Sequence, residues 1–243
     1  MKPIIGITCK YDWGLGQRCS DEHKLVYHAI NKWYVDAVAK AGGVPVLLPT
    51  IRDKKMIKEL AELVDGLLFS GGGYDILIGK GRSTIGTSFY RPNPDRMHFS
   101  MDLMKYALKK DMPIFGICLG HQTINEALGG SLDIDITHSE VKHNQREFYT
   151  KATHPIEITK PSFMYNVFRK KNVIVNSHHC QAIKKLGKGL IATSHSSDGC
   201  IESIESTKHS FVHGVQFHPE SLVDDYAGFS SLFKELVRAA KRK

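Results

Sequence analysis

The run Met112-Pro-Ile-Phe-Gly-Ile-Cys118-Leu-Gly-His-Gln-Thr-Ile-Asn-Glu-Ala-Leu128-Gly-Gly constrains the fold more than any other part of the chain. It reads as an apolar strand, a turn at one reactive side chain, and a helix. Gly116 and Gly120 stand two residues before and two after Cys118, the spacing of the sharp strand-to-helix elbow in which neighbouring side chains have no room. Such a turn pushes the thiol out at the carboxyl end of a sheet. It also places the sulfur at a helix N-terminus, where the partial positive charge favours thiolate, and aims the Leu119 N–H at a developing oxyanion.

The rest of the chain supplies elements that fit around this elbow. Ile4–Thr8 reads as a buried strand behind Pro3. Apolar residues at helical spacing predict a helix from Leu25 to Ala41, stopped by Gly42 and Gly43. A strand over Val44–Leu48, a helix marked by Ile57, Leu60, Ala61 and Val64, and a strand over Asp65–Ser70 follow, the last running into Gly71-Gly72-Gly73. After a Gly-rich stretch from Tyr74 to Pro94, Met97–Leu108 reads as a helix and Pro113–Ile117 as a strand. The second half is strand-rich, at His154–Ile158, Val173–Val175, Leu190–Thr193, Cys200–Ile204 and Phe211–Phe217, and Asp224–Ala240 closes it as a helix. Alternating elements with apolar strands predict an α/β fold with a mostly parallel central sheet covered by helices on both faces. Without a repeat or linker, residues 1–243 read as a single domain.

Phe211-Val-His-Gly-Val-Gln-Phe217 leads into His218-Pro219-Glu220. The imidazole ends a strand, proline fixes the chain direction, and an extended i, i+2 relation brings the Glu220 carboxylate to the ring to hold its tautomer. Cys118, His218 and Glu220 are therefore the expected nucleophile, base and orienter. In an α/β-hydrolase the acid would precede the histidine; here it follows.

Composition narrows the classes that remain. The 33 basic against 25 acidic residues leave +8, but the excess gathers in Lys234, Arg238, Lys241, Arg242 and Lys243, a solvated tail with no interleaved aromatics, so no nucleic-acid partner is expected. Five cysteines (Cys9, Cys19, Cys118, Cys180, Cys200) are an odd number in a chain too large to need disulfides, which suits a reducing, cytoplasmic compartment. No run is apolar enough for a signal peptide or membrane span. His178, His179 and Cys180 stand together, and His138 and His143 flank an acidic residue, yet adjacent strand residues point to opposite faces and no second ligand pair has the usual spacing. No metal or other cofactor is expected, and Cys9, Cys19 and Cys200 read as packing residues. Gly79-Lys80 is followed by Gly81, and Tyr74 stands five before Gly79, so a phosphate loop fails at both ends.

IIGIT, YVDAVAKAGGVPVLLP, DGLLFSGGG, PIFGICLGHQ with EALGGSL, VNSHHCQAI, DGCIESIE and GVQFHPE occur in this order. With them the chain resembles the flavodoxin-like class I glutamine amidotransferase family, and within it the γ-glutamyl hydrolase-like branch, peptidase C26. The resemblance implies attack of Cys118 on a γ-glutamyl amide, a thioester intermediate, and hydrolysis by water activated at His218. It implies an oxyanion hole from Leu119 with Gly72 and Gly73, and substrate contacts from Gln122, Asn176, Ser177, His179 and Gln181. Two features depart from the branch: Leu119-Gly120-His121-Gln122 follows the nucleophile where an arginine is usual, and Tyr74 is inserted before Asp75. The expected partner is thus a small γ-glutamyl substrate, hydrolysed by the chain alone, with Arg82, Arg91 and Arg96 available for a carboxylate on the departing amine. A glutaminase subunit that passes ammonia to a synthetase partner is the alternative, a catalytically silent binding protein is a third reading, and a homodimer stays open.

Overall fold

The computed structural model describes residues 1–12, 27–72, 93–145 and 148–241. In chain order these form β1 (Ile4–Thr8), β2 (Lys10–Asp12), β3 (Tyr27–Ala29), α1 (Lys32–Lys40), β4 (Val44–Leu48), α2 (Lys54–Glu62), β5 (Gly66–Phe69), α3 (Pro94–Lys109), β6 (Ile114–Ile117) and α4 (Leu119–Ala127). Then come β7 (Ser131–Asp133), β8 (His154–Ile158), α5 (Phe163–Phe168), β9 (Asn172–Val175), β10 (Ala182–Lys185), β11 (Leu190–Ser196), β12 (Ile201–Ser206), β13 (Val212–Val215) and, after a short 3-10 turn over Pro219–Ser221, α6 (Phe229–Ala240).

Nine strands form one sheet in the order β4-β1-β5-β6-β13-β12-β11-β8-β9. The five from β4 to β13 run parallel, as expected of strands joined through helices. The other four join antiparallel. Period-two alternation divides the parallel strands between two cores. Leu68, Phe115 and Ile117 pack with α1 and α6 through Val38, Phe233 and Leu236. Leu67, Phe69 and Ile114 pack with α2, α3 and α4 through Ile57, Leu103 and Ile124. Helices therefore cover both faces, and no helix among the described residues is long and apolar enough to cross a membrane.

Two helices are shorter than their periodicity predicts. The first starts at Lys32 because the Asn31 side chain caps it by accepting the Trp33 N–H, while Tyr27–Ala29 pairs antiparallel with Lys10–Asp12. The last starts at Phe229 because Gly228 lies at φ +101°, outside helical space. The pair β7 and β10 and the one-and-a-half-turn α5 escape a reading by period, being too short to show one. Gly73, the stretch through Arg82 and Arg91, Cys19, Arg242 and Lys243 fall outside the described residues.

Candidate active site

Three neighbouring parallel strands deliver the site. β5 leads into Ser70-Gly71-Gly72, β6 into Cys118, and β13 through Gln216-Phe217 into His218, so adjacency in the sheet converts distant sequence into one cluster at the strands' carboxyl ends. The elbow is as tight as its glycines predict. A Cβ on Gly116 would meet the Gly120 carbonyl at 2.6 Å, and one on Gly120 would meet the Phe69 carbonyl oxygen at 2.3 Å. Cys118 itself sits at φ +51°, ψ −101°, a strained conformation for a side-chain-bearing residue. Its N–H donates to the Val215 carbonyl at 2.8 Å, tying the elbow to the strand that carries the histidine.

Cys118 lies near enough to His218 for their charges to interact, and His218 Nδ1 is 2.7 Å from Glu220 Oε1. All three residues are buried. The link from His218 to Glu220 is turned rather than extended, because Pro219–Ser221 forms a 3-10 turn. Burial alone would discharge the imidazole, but the charges of Glu220 and Cys118 overcome it and raise its pKa to about 10. Asn176 holds the His218 backbone: its Oδ1 accepts the His218 N–H at 2.9 Å, and its Nδ2 donates to the His218 carbonyl at 3.1 Å and the Ser221 hydroxyl at 2.9 Å.

Gly71 and Gly72 have different roles. The Gly71 N–H donates to the Tyr34 hydroxyl at 2.9 Å and is thereby turned from the thiol. Gly72 lies against Leu119, 3.7 Å separating its virtual Cβ from Leu119 Cβ. The Leu119 N–H is a first-turn donor with no acceptor inside its helix. Arg96, buried at 1% exposure, donates to the Ser70 hydroxyl at 3.0 Å and the Gly71 carbonyl at 2.6 Å. It props this turn from inside the fold and does not present its guanidinium to a leaving group, as its place in the sequence suggested.

Among the expected substrate residues, Gln122 is buried and donates from Nε2 to the Gln181 carbonyl at 3.0 Å and to Gln216 Oε1 at 3.1 Å. The Ser177 N–H donates to Gln145 Oε1 at 2.7 Å, and the Ser177 hydroxyl lies 3.2 Å from His143 Nδ1. His179 turns toward Glu202, with Nδ1 3.0 Å from the Gln181 carbonyl. Cys200, expected to be packing, lies beside these groups. Three residues near the base have no signature in sequence. The buried Tyr34 hydroxyl is 3.4 Å from His218 Nδ1, and burial with the Glu220 charge holds it protonated. Tyr149 stacks on His178 at 3.7 Å, and the His178 ring lies 5.9 Å from that of His218. Burial and the neighbouring His218 charge push the His178 pKa down to about 3, leaving it neutral.

The mostly parallel nine-stranded sheet with helices on both faces, and a cysteine on a strained turn at the carboxyl edge of its parallel strands, form the class I glutamine amidotransferase fold. The structure of a candidate GMP synthase protein from Thermoplasma acidophilum shares that fold, with a TM-score of 0.64 over 99% of this chain and 95% of that one at 18% identity. The Peptidase C26 family model matches residues 3–220, and the chain belongs to that family. Its relatives include a candidate glutamine amidotransferase-like protein of Rickettsia prowazekii, 34% identical over 99% of this chain and 98% of that one. Gamma-glutamyl-gamma-aminobutyrate hydrolase PuuD of Escherichia coli (strain K12) is 28% identical over 98% of this chain and 94% of its own.

Proposed function

We propose that this chain hydrolyses a γ-glutamyl amide through a thioester on Cys118, releasing an amine and then glutamate. The observation that carries the reading is the placing of Cys118, on its positive-φ turn, beside the hydrogen-bonded His218–Glu220 pair at the ends of adjacent parallel strands. The sulfur attacks the γ-carbonyl as thiolate, and the oxyanion is met by the N–H groups of Leu119 and Gly72. His218, charged beside Glu220, gives its proton to the departing nitrogen as the tetrahedral adduct collapses to the thioester. The neutral ring then takes a proton from water, whose oxygen attacks the thioester and frees glutamate and the thiol. Gln122 and the 176–181 segment frame the glutamyl side, Gln181 as a direct contact and Asn176, Ser177 and His179 by holding the segment in place.

The relatives named for γ-glutamyl hydrolysis favour an enzyme that works alone. Leu119-Gly120-His121-Gln122 favours the second reading, in which glutamine is the substrate and ammonia passes to a synthetase. Specificity is a ratio of kcat/KM values, so the test gives the purified chain glutamine and a panel of larger γ-glutamyl amides and measures ammonia, free amine and glutamate. The hydrolase reading expects a larger amide to have the highest kcat/KM with no partner present. Glutamine as best substrate, with turnover rising strongly only when a synthetase is added, replaces it with the second.

A further inference from the structure

His178 faces the base, but its neighbour His179 enters a second cluster that the chemistry above does not use. Donor atoms of His143, His179, Cys200 and Glu202 all lie within 4.8 Å of one another. Glu202 is fully buried, and neither carboxylate oxygen has a hydrogen-bond partner among the described residues. Its Oε1 is ringed by His143 Nδ1 at 3.4 Å, His179 Nε2 at 3.8 Å and His154 Nε2 at 3.8 Å. A charge-assisted hydrogen bond would close to about 2.7–2.9 Å, so these rings surround the carboxylate without pairing with it.

The outer nitrogens explain why. His179 Nδ1 is 3.0 Å from the Gln181 carbonyl, and His143 Nε2 is 3.0 Å from Asp198 Oδ2. Both partners only accept, and a neutral imidazole has one N–H, so each ring directs its proton outward and its lone pair inward. The Ser177 hydroxyl, 3.2 Å from His143 Nδ1, is placed to donate to that lone pair. Two imidazole nitrogens, a thiol and a buried carboxylate thus converge on one point, a donor set that a cation would complete. We propose that His143, His179, Cys200 and Glu202 bind a divalent transition metal of the zinc class.

A dication with one thiolate, one carboxylate and two neutral imidazoles is a neutral set, and the thiol gives up its proton on binding. Ring N–H groups held by a carboxylate and a carbonyl are the outer arrangement that metal-bound histidines use. Tetrahedral bonds of about 2.0–2.3 Å separate ligand atoms by about 3.3–3.7 Å, so the set closes by about 1 Å, with Nδ1 exchanging the Ser177 hydroxyl for the metal. A cavity of ≈110 Å³ lined by Ser139, Asn144, His143 and His179 among others gives access. The ion would fasten β12 and the turn before it to the segment carrying Asn176, which holds His218.

The test uses the full chain with Cys118→Ala, so that the catalytic thiol cannot bind metal and the outcome is independent of the reaction assigned above. Purified from zinc-supplemented growth, it should retain about one zinc per chain. With Co²⁺ in its place it should show a near-ultraviolet thiolate charge-transfer band and tetrahedral visible bands. Adding Cys200→Ser should remove the charge-transfer band, and Asp198→Asn should weaken Co²⁺ binding by about tenfold or more with circular dichroism unchanged. If Cys200→Ser does not fold, Glu202→Gln, of equal volume, should give the same loss of retained zinc. Absence of both retained zinc and a cobalt spectrum overturns the proposal, as does a charge-transfer band that persists without Cys200.

Discussion

His218 with Glu220, and Glu202 with its three histidines, are two ways of burying a carboxylate beside imidazole. In the first, the partners are two residues apart in sequence and 2.7 Å apart in space. In the second, rings from separate segments stop at 3.4–3.8 Å, and neither carboxylate oxygen has a hydrogen-bond partner among the described residues. A buried carboxylate left without hydrogen bonds carries a desolvation cost that a close ion pair offsets. The first arrangement is complete in itself and sits against the thiol. The second has the ligands of a cation site, and the outer nitrogens of His143 and His179 lie 3.0 Å from Asp198 and from the Gln181 carbonyl.

The sharpest way to break this contrast is at the thiol. Cys118→Ala should lower kcat by about 10⁴-fold or more with an unchanged circular dichroism spectrum, since the His218–Glu220 pair has no nucleophile of its own to activate. A glutamine-like electrophile should label wild type at Cys118 and not label this variant; first reaction at Cys180 or Cys9 would move the nucleophile elsewhere. Within the pair, His218→Ala should approach the thiol loss, because the imidazole itself moves the proton. Glu220→Gln should cost less, about 10²–10³-fold in kcat, since it loses only orientation and charge. A glutamine variant with wild-type kcat would remove Glu220 from the pair.

What was legible in the sequence tracks the same contrast. The elbow, the His218-Pro219-Glu220 turn and the Gly71-Gly72 turn are short-range patterns, and sheet order alone unites them. Adjacent residues His178 and His179 do turn to different neighbours, which is why their juxtaposition in sequence gave no ligand pair. The Glu202 cluster draws on residues with no common spacing, so only the tertiary fold reveals it. Tyr34 was readable only as an apolar helix position, although its hydroxyl orders the Gly71 turn. Two glycines sharpen the distinction between shape and chemistry. Gly120→Ala drives a Cβ into the Phe69 carbonyl and should lower unfolding free energy by about 3 kcal/mol in urea titration. Gly72→Ala meets only ordinary contact with Leu119 and should cost less than about 1 kcal/mol. Equal losses at both positions would show that the elbow is looser than its distances.

The smallest effect separates a histidine that charge holds protonated from one that apolar packing keeps neutral. His213, on the strand that leads to His218, stacks on Phe163 at 3.9 Å and meets Phe211 edge-on at 4.5 Å. Its Nδ1 is buried without a hydrogen bond among the described residues, and burial pushes its pKa well down. Unfolding restores the ordinary imidazole value of about 6.5. Below that pH the unfolded chain binds a proton that the folded one does not, so stability falls as pH drops and is unaffected well above it. His213→Phe keeps an aromatic ring in the stack and removes the proton site. The variant and wild type should therefore run parallel in urea unfolding above pH 7, and the variant should gain on wild type by about 0.7 kcal/mol at pH 6. A difference that does not change between pH 7 and pH 6 would mean that the ring already accepts its proton inside the fold, and that the Phe163 stack, unlike the Glu220 contact, has no hold on its charge.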